Sequence, residues 1–267
     1  MGWREVVRRW IVVLGLGLWC ANAAVAQIVI TNTPTADAFV RSLAPTNNYG
    51  AAGALSVSGS IAVNTNGQQE GLLDSFLQFN VSNTVASFNG AFGAGEWAIS
   101  SVTLALTATS PNNAVFNYGS GSFAVRWIGD NVWQEGTGTP NSPATNGISY
   151  AQEPSILNSN VDESLGTFNY NGATSGQMSL SLGLAGGFIS QISTGNLVSL
   201  YMTATPGSSV GFTFNSRHFT SSSAWPMLDI TAVAIPEPTT AGLIGLSCLI
   251  LTAMGRRRRN RADDATS

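Results

Sequence analysis

Between residues 27 and 235 apolar and polar positions alternate in short runs. In ISSVTLALTAT (99–109), Val102, Leu104 and Leu106 fall on one face and Thr103 and Thr107 on the other, the period of a half-buried strand. In GSFAVRWIG (121–129), Phe123, Val125 and Trp127 share a face and Arg126 takes the opposite one. In LLDSFLQFNV (72–81), Phe76 opposes Leu77 and Phe79, which predicts a strand buried on both sides. Further strand-like runs are IVITN (28–32), DAFVRS (37–42), ALSVSG (54–59), QMSLSL (177–182), NLVSLYMTA (196–204), SVGFTFNS (209–216) and PMLDITAVA (226–234). Turn signals separate them: NNYG, NTNG, PNN, NYGSG and TPGSS. Only LAGGFISQIS (184–193) has a helical character, and one short helix is expected there. Many short strands with Gly/Asn turns predict an all-β fold, a jelly-roll-like antiparallel β-sandwich spanning 27–235.

The pattern changes at both ends. MGWREVVRR is basic, and WIVVLGLGLWCANAAVA is apolar and closes on small residues, Ala24 and Ala26. Residues 1–26 therefore read as a secretory signal peptide cleaved after Ala26. Cys20 does not make a lipoprotein site, because bulky Leu18 and Trp19 stand where small residues are needed. Residues 239–255 are apolar and uncharged; at ~1.5 Å per residue they reach about 25 Å, just short of the ~30 Å hydrocarbon core. Arg256, Arg257, Arg258 and Arg259 follow, and would hold that end on the cytoplasmic side of a single transmembrane helix. A short tail, 262–267, completes the chain.

Composition narrows the partners. There is no lysine, and between 27 and 235 only Arg41, Arg126 and Arg217 stand against ten acids, a net of −7. Nucleic-acid binding, which needs clustered Lys and Arg, is not expected. Both cysteines, Cys20 and Cys248, lie in the terminal segments, so the middle has neither a disulfide nor a thiolate metal site.

Pro236-Glu237-Pro238, the apolar run and the arginine cluster, in that order within 236–261, resemble the PEP-CTERM sorting signal. That resemblance implies an exosortase as partner, cleavage near Pro236–Pro238, and a transient inner-membrane intermediate. It also implies a destination in the cell envelope, cell surface or extracellular matrix of a Gram-negative-type bacterium that makes exopolysaccharide. Prolines keep the stretch before the helix extended and open to a processing enzyme. A second resemblance covers most of 36–231. ADAFVRSLAPTNNYGAAGALSVSG, DSFLQFNV, ISSVTLALTAT, DNVWQEGTGTPN and FTFNSRHFTSSSAWPMLDI are similar, in that order, to the segments of DNRLRE-type domains. The likeness implies a secreted β-sandwich related to carbohydrate-binding modules; the stretches 60–70 and 137–165 depart from the pattern.

Candidate chemistry is sparse. His218 is the only histidine, and no Gly-x-Ser-x-Gly motif accompanies it. Glu70 with Asp74, or Asp130 with Glu135, would be the acid pairs of a glycoside hydrolase or lyase. No motif calls for a cofactor. Ca²⁺ is the ion the loop acids would suit, with Asp37, Asp74, Asp130 and Asp229 as candidate ligands. Of Trp97, Trp127, Trp133 and Trp225, the pattern puts Trp127 in the core and leaves Trp133, in the loop GDNVWQEG, as the candidate sugar-stacking platform or a cap on the sandwich end. The reading is a non-enzymatic, exported, structural or polysaccharide-associated protein, with a secreted polysaccharide-acting enzyme or a protein-binding adhesin as alternatives.

Overall fold

The alternating runs pair as strands around one apolar layer. The computed structural model describes residues 26–235. The expected signal peptide, apart from Ala26, the expected membrane helix 239–255, and the processing residues Ala24, Pro236, Glu237, Pro238 and Arg256 to Arg259 lie outside the described residues. Among the described residues no helix is long and apolar enough to cross a membrane.

Strands β1 (Gln27–Asn32), β6 (Trp97–Thr107), β10 (Gln177–Leu182) and β13 (Met227–Ala234) form a four-stranded sheet in the order β1-β13-β6-β10. The second sheet has the order β12-β3-β5-β11-β8-β9, built from β3 (Ala54–Ser58), β5 (Leu73–Asn80), β8 (Gly121–Ile128), β9 (Glu163–Tyr170), β11 (Leu197–Ala204) and β12 (Gly211–Asn215). A seventh strand, β2 (Pro34–Arg41), pairs antiparallel with β5. The chain thus leaves the first sheet at Asn32 and enters the second at Pro34, a strand that switches sheets as sandwich corners do. Two-residue strands β4 (Val63–Asn64) and β7 (Asn117–Tyr118) make a separate ribbon.

Val102, Leu104 and Leu106 of β6 and Leu228 and Ile230 of β13 point into one cluster with Leu77 and Phe79 of β5, Phe123 and Val125 of β8, and Phe212 and Phe214 of β12. The period-two pattern is what allows this, since each strand offers one apolar face to the opposite sheet. Strand β5 is buried on both sides, as its pattern predicts. Leu77 faces the inter-sheet layer, while Phe76 joins a second cluster on the outer face with Ala38, Val40, Ile128, Tyr201, Trp133 and Ile148. Ile156 and Leu157 pack onto that second cluster. The segment 129–157 is therefore a cover over the outer face of the larger sheet.

Three α-helices and a 3₁₀ turn at Ser222–Ala224 are present among the described residues, not the single helix expected. The expected helix forms at α3 (Gly186–Ser193), and its cause is visible: the Glu163 carboxylate accepts from the N–H groups of Gly187 (2.9 Å) and Phe188 (2.8 Å), satisfying orphan donors of the first turn. Helix α1 (Ser82–Phe92) corrects the expectation. Its sequence is rich in Ser, Thr, Asn and Gly, all weak helix formers. Tertiary contacts override that weakness: buried Thr84 donates to Asn32 Oδ1 (2.7 Å), and the Phe88 ring lies 5.1 Å from that of Trp97. A third, single-turn helix, α2 (Glu153–Ile156), lies in the 129–157 cover.

Candidate functional site

Asn48 is the anchor of the loop end. It is fully buried, donates through Nδ2 to the carbonyls of Glu135 (2.7 Å) and Ile148 (2.8 Å), and accepts through Oδ1 from the N–H groups of Gly50 (3.1 Å) and Gly138 (3.0 Å). One side chain therefore ties the Asn-Tyr-Gly turn to the loop that follows Trp133. The approach is close enough that a Cβ on Gly50 would lie 1.8 Å from the Glu135 carbonyl oxygen, so only glycine fits there.

This anchoring presents Glu135 to Asp37 of β2 and to Arg217, just beyond β12. Arg217 donates to both Glu135 oxygens, Nε at 2.7 Å and Nη2 at 3.0 Å, in the planar fork that suits a carboxylate. The backbone N–H of Asp37 donates to Glu135 Oε1 (2.8 Å), and the N–H of Arg217 donates to Asp37 Oδ2 (2.6 Å). His218 Nε2 stands 3.3 Å from Glu135 Oε1. Asp37 Oδ1 is buried without a hydrogen-bond partner, and burial pushes the Asp37 carboxyl up to about 7 against the opposing pull of the Arg217 hydrogen bond. Segments far apart in sequence, around Asp37, Asn48, Glu135 and Arg217, are thus closed into one clasp.

Asp37, Glu135 and His218 together have the composition of a metal site, with ligand atoms within 4.8 Å of one another. The donor chemistry fits an ion well only in part. Arg217 already occupies both Glu135 oxygens, and a guanidinium beside a cation is unfavourable. An imidazole with two carboxylates also suits a transition metal more than Ca²⁺. The remaining acids find other partners. Glu70 pairs with Arg41 and accepts from Asn64 Nδ2 (2.7 Å). Asp130 accepts from the N–H of Val132 in its own loop (2.8 Å), and Asp229 accepts from Thr31 Oγ1 (2.5 Å).

Asp74 meets Glu153 of α2, a residue that sequence reasoning did not single out. Tyr201 Oη donates to Glu153 Oε1 (2.7 Å), while Asp74 Oδ1 and Glu153 Oε2 are buried without partners. Burial raises both carboxyls, and the charge of Glu153 raises Asp74 further. Both carboxyls are therefore biased toward the protonated form. Asp74 is only 1% exposed, and Glu153, itself a partly buried residue of the 129–157 cover, turns its buried Oε2 inward, which closes the pair to a polymeric substrate.

Trp127 is in the main core, as its strand pattern predicts. Trp97 packs against Phe88 and donates to Asn89 Oδ1 (2.8 Å); Trp225 donates to the Phe219 carbonyl (2.8 Å). Trp133 is buried at 8% exposure, 5.7 Å from the ring of Phe76, and donates to Ser199 Oγ (3.0 Å). It is placed as a cap on the outer cluster, not as an open stacking face.

Two hollows flank the loop that carries Glu135. The larger, about 360 Å³, is lined by Asp130, Val132, Trp133, Gln134, Gln152 and Ile156. The smaller, about 190 Å³, lies beside the clasp between the start of β3, the 109–116 loop, Pro140–Asn141 and the turn after β12. No single run of sequence forms either one, and no local signal could have located them.

Replacing Arg217 by alanine leaves Glu135 and Asp37 as neighbouring acids without their counter-charge. The expected loss is about 3 kcal/mol, since one partner of a largely buried ion pair is removed. Arg217→Lys should recover only part of it, because an ammonium cannot make the two-pronged contact. Denaturant unfolding of both variants, with Glu135→Gln to complete the double-mutant cycle, measures the coupling.

Residues 29–155 match carbohydrate-binding module family 96, just under half of the chain. The matched span holds Asp37, Asn48, Trp133 and Glu135 and most of the walls of both hollows, and ends inside α2. Among curated proteins the sequence finds no match.

Proposed function

We propose that this chain is a non-catalytic carbohydrate-binding protein that associates with polysaccharide outside the cell. The observation that carries this reading is the match of 29–155 to a carbohydrate-binding module family. The loop-end geometry supports it. A clasp of Asn48, Glu135, Arg217 and Asp37 holds several loops rigid, and two hollows open between those loops. Rigid loops at one end of a sandwich suit recognition of a flexible polymer, because they lower the ordering cost on the protein side.

The terminal segments complete the proposal. Residues 1–26 direct export. Residues 236–261 present Pro236-Glu237-Pro238 to an exosortase while the apolar run lodges in the inner membrane, and the released module stays in the envelope or extracellular matrix. The rival reading as a lyase or hydrolase requires two acids reachable across a cleft; Asp74 is 1% exposed, and it and Glu153 each keep a carboxyl oxygen buried.

The test is affinity electrophoresis of the purified protein through gels containing neutral or acidic polysaccharides, with reducing ends and unsaturated sugars assayed in parallel. Retardation without product release is the expected result. Product release that disappears in Asp74→Asn would overturn the non-catalytic reading, and migration unaffected by every polysaccharide would overturn carbohydrate binding itself. Fractionation of cells carrying the chain with and without 236–261 tests the sorting step. A full-length form retained in the inner membrane of otherwise normal cells would mean a permanent anchor.

A further inference from the structure

Two acids meet one arginine in the clasp, and the balance is incomplete. The Arg217 fork compensates Glu135, while Asp37, fully buried, keeps Oδ1 without a hydrogen-bond partner. A buried carboxyl oxygen with no donor costs the protein stability and calls for a group that supplies the missing positive charge. The ligand atoms around it converge. Asp37 Oδ2 accepts from the Arg217 N–H (2.6 Å), which fixes the carboxyl and leaves Oδ1. Glu135 Oε1 accepts from the Asp37 N–H (2.8 Å) as well as from Arg217 Nε, whereas Oε2 has Arg217 Nη2 alone. The His218 N–H donates to Ser216 Oγ (3.0 Å), which steadies its backbone, and its Nε2 stands 3.3 Å from Glu135 Oε1. One oxygen of each acid and one imidazole nitrogen lie within 4.8 Å of one another.

These features describe a cation seat that the guanidinium fills only in part. Arg217 brings one positive charge to two carboxyls; a divalent ion balances both, with the Arg217 side chain turned outward. That movement is open to it, since the Arg217 side chain is 29% exposed and that of His218 33%. Donor type selects the metal. An imidazole nitrogen with two carboxylate oxygens suits Zn²⁺ and its transition-metal neighbours, whereas Ca²⁺ takes a larger shell of oxygens. Size agrees: a tetrahedral ion with bonds of about 2.1 Å spaces its ligand atoms roughly 3.4 Å apart, close to the Glu135–His218 separation. Hydrogen bonds from neighbouring groups already orient the ligands, as the surroundings of metal sites do. His218 is the only histidine and both cysteines lie in the terminal segments, so no second imidazole or thiolate competes within 27–235.

We propose that Asp37, Glu135 and His218 form a binding site for a divalent transition metal, represented by Zn²⁺, and that Arg217 is its displaceable internal counter-ion. Bound metal fastens β2, the 129–157 cover and the turn after β12 through three coordinate bonds in place of the fork. The site does not depend on the carbohydrate reading, which can fail without touching it. Untagged protein stripped with a chelator is titrated with Zn²⁺, and separately with Ca²⁺, by calorimetry, by NMR of its single imidazole and by thermal unfolding. The expected result is one Zn²⁺ per chain, shifted His218 ring signals, and a melting temperature higher by roughly 5–10 °C at a hundredfold excess over Kd. Ca²⁺ should bind at least tenfold more weakly. His218→Ala removes a partly exposed ring with one long contact, so it should melt as the metal-free parent does while losing at least tenfold in Zn²⁺ affinity. Asp37→Asn should lose as much. Arg217→Gln, although less stable without metal, should bind Zn²⁺ at least tenfold more tightly, because no guanidinium competes.

A Zn²⁺ titration that yields no heat and leaves the imidazole signals in place overturns the site. Binding that survives His218→Ala undiminished means attachment to scattered surface acids and overturns it equally. Ca²⁺ held as tightly as Zn²⁺ overturns the transition-metal assignment. Weaker Zn²⁺ binding by folded Arg217→Gln overturns the role of Arg217 as a competitor.

Discussion

Asn48→Ala is expected to lower stability by about 4 kcal/mol and to lower the melting temperature by roughly 8–16 °C, on the scale of ~2–4 °C per kcal/mol for a domain of this size. The side chain is fully buried and makes four hydrogen bonds, all to backbone groups of three loops. Truncation strands the carbonyls of Glu135 and Ile148 and the N–H groups of Gly50 and Gly138, each at a cost of about 1–3 kcal/mol unless water enters. Neighbouring backbone cannot close the gap, because Gly50 already meets the Glu135 carbonyl and Gly138 already meets that of Asn48. Asn48→Asp should not rescue near neutral pH: it keeps the acceptor but turns a carboxylate toward two carbonyl oxygens. Acidification should restore part of the loss, since the protonated acid recovers one donor. The measurement is thermal unfolding of the three proteins at pH 7 and pH 4. A melting temperature for Asn48→Ala within a degree of the parent would mean that the clasp does not hold the loops.

The second large effect is a stability that declines as pH rises toward neutrality, opposite to proteins whose carboxylates are held ionised by cations. Asp37 is pushed up to about 7, and Asp74 and Glu153 are also raised, in each case chiefly by burial. In the unfolded chain these acids titrate near 4. Below pH ~4 both states are protonated and the groups do not affect folding. Between about 4 and 7 the folded state keeps protons that the unfolded state has released, so each unit of pH favours unfolding by at most about 1.4 kcal/mol per group. Above the folded-state values both forms are ionised and the loss is complete. A fall of roughly 5–15 °C in melting temperature between pH 5 and pH 8 is expected. Asp74→Asn should flatten the profile, because the amide keeps a donor toward Glu153 and no longer titrates. A parent profile that is level or climbs across that interval would show that the two acid clusters are ionised in the fold.

Much of the strand framework was legible in the residues. Period two is a local property, and Val102, Leu104 and Leu106, or Phe123, Val125 and Trp127, display it within a few positions; the structure buries them as the pattern requires. Strand β9 was not legible. Gly166, at φ +143°, interrupts its alternation, and the register with β8 shifts there, since Val125 pairs with Gly166 and Arg126 with Ser164, leaving Leu165 as an extra residue in β9. Helix α1 was hidden for a different reason: its residues favour turns, and only the docking of Phe88 on Trp97 and of Thr84 on Asn32 makes the helix favourable.

The candidate site was legible in fragments. The segments around Asp37, Asn48, Trp133 and Arg217 stand out in the sequence, yet Asp37 and Glu135 are 98 positions apart, and Glu135 and Arg217 are 82 apart. Pairing Glu70 with Asp74, or Asp130 with Glu135, relied on closeness along the chain. The structure instead gives Asp74 to Glu153 and Glu135 to Arg217, because the 129–157 segment folds back over the larger sheet and carries Glu153 to Asp74 on β5 and Glu135 to the turn after β12.

The residues alone therefore determined a strand-built domain with an acidic, arginine-poor surface, since alternation and charge are carried by each short segment independently. Only the tertiary structure decided that Trp133 caps a second core, that one buried asparagine ties the loops, and that Asp37, Glu135 and His218 meet. Those features depend on contacts between segments many tens of residues apart, and such contacts exist only after both sheets have closed over their shared apolar layer.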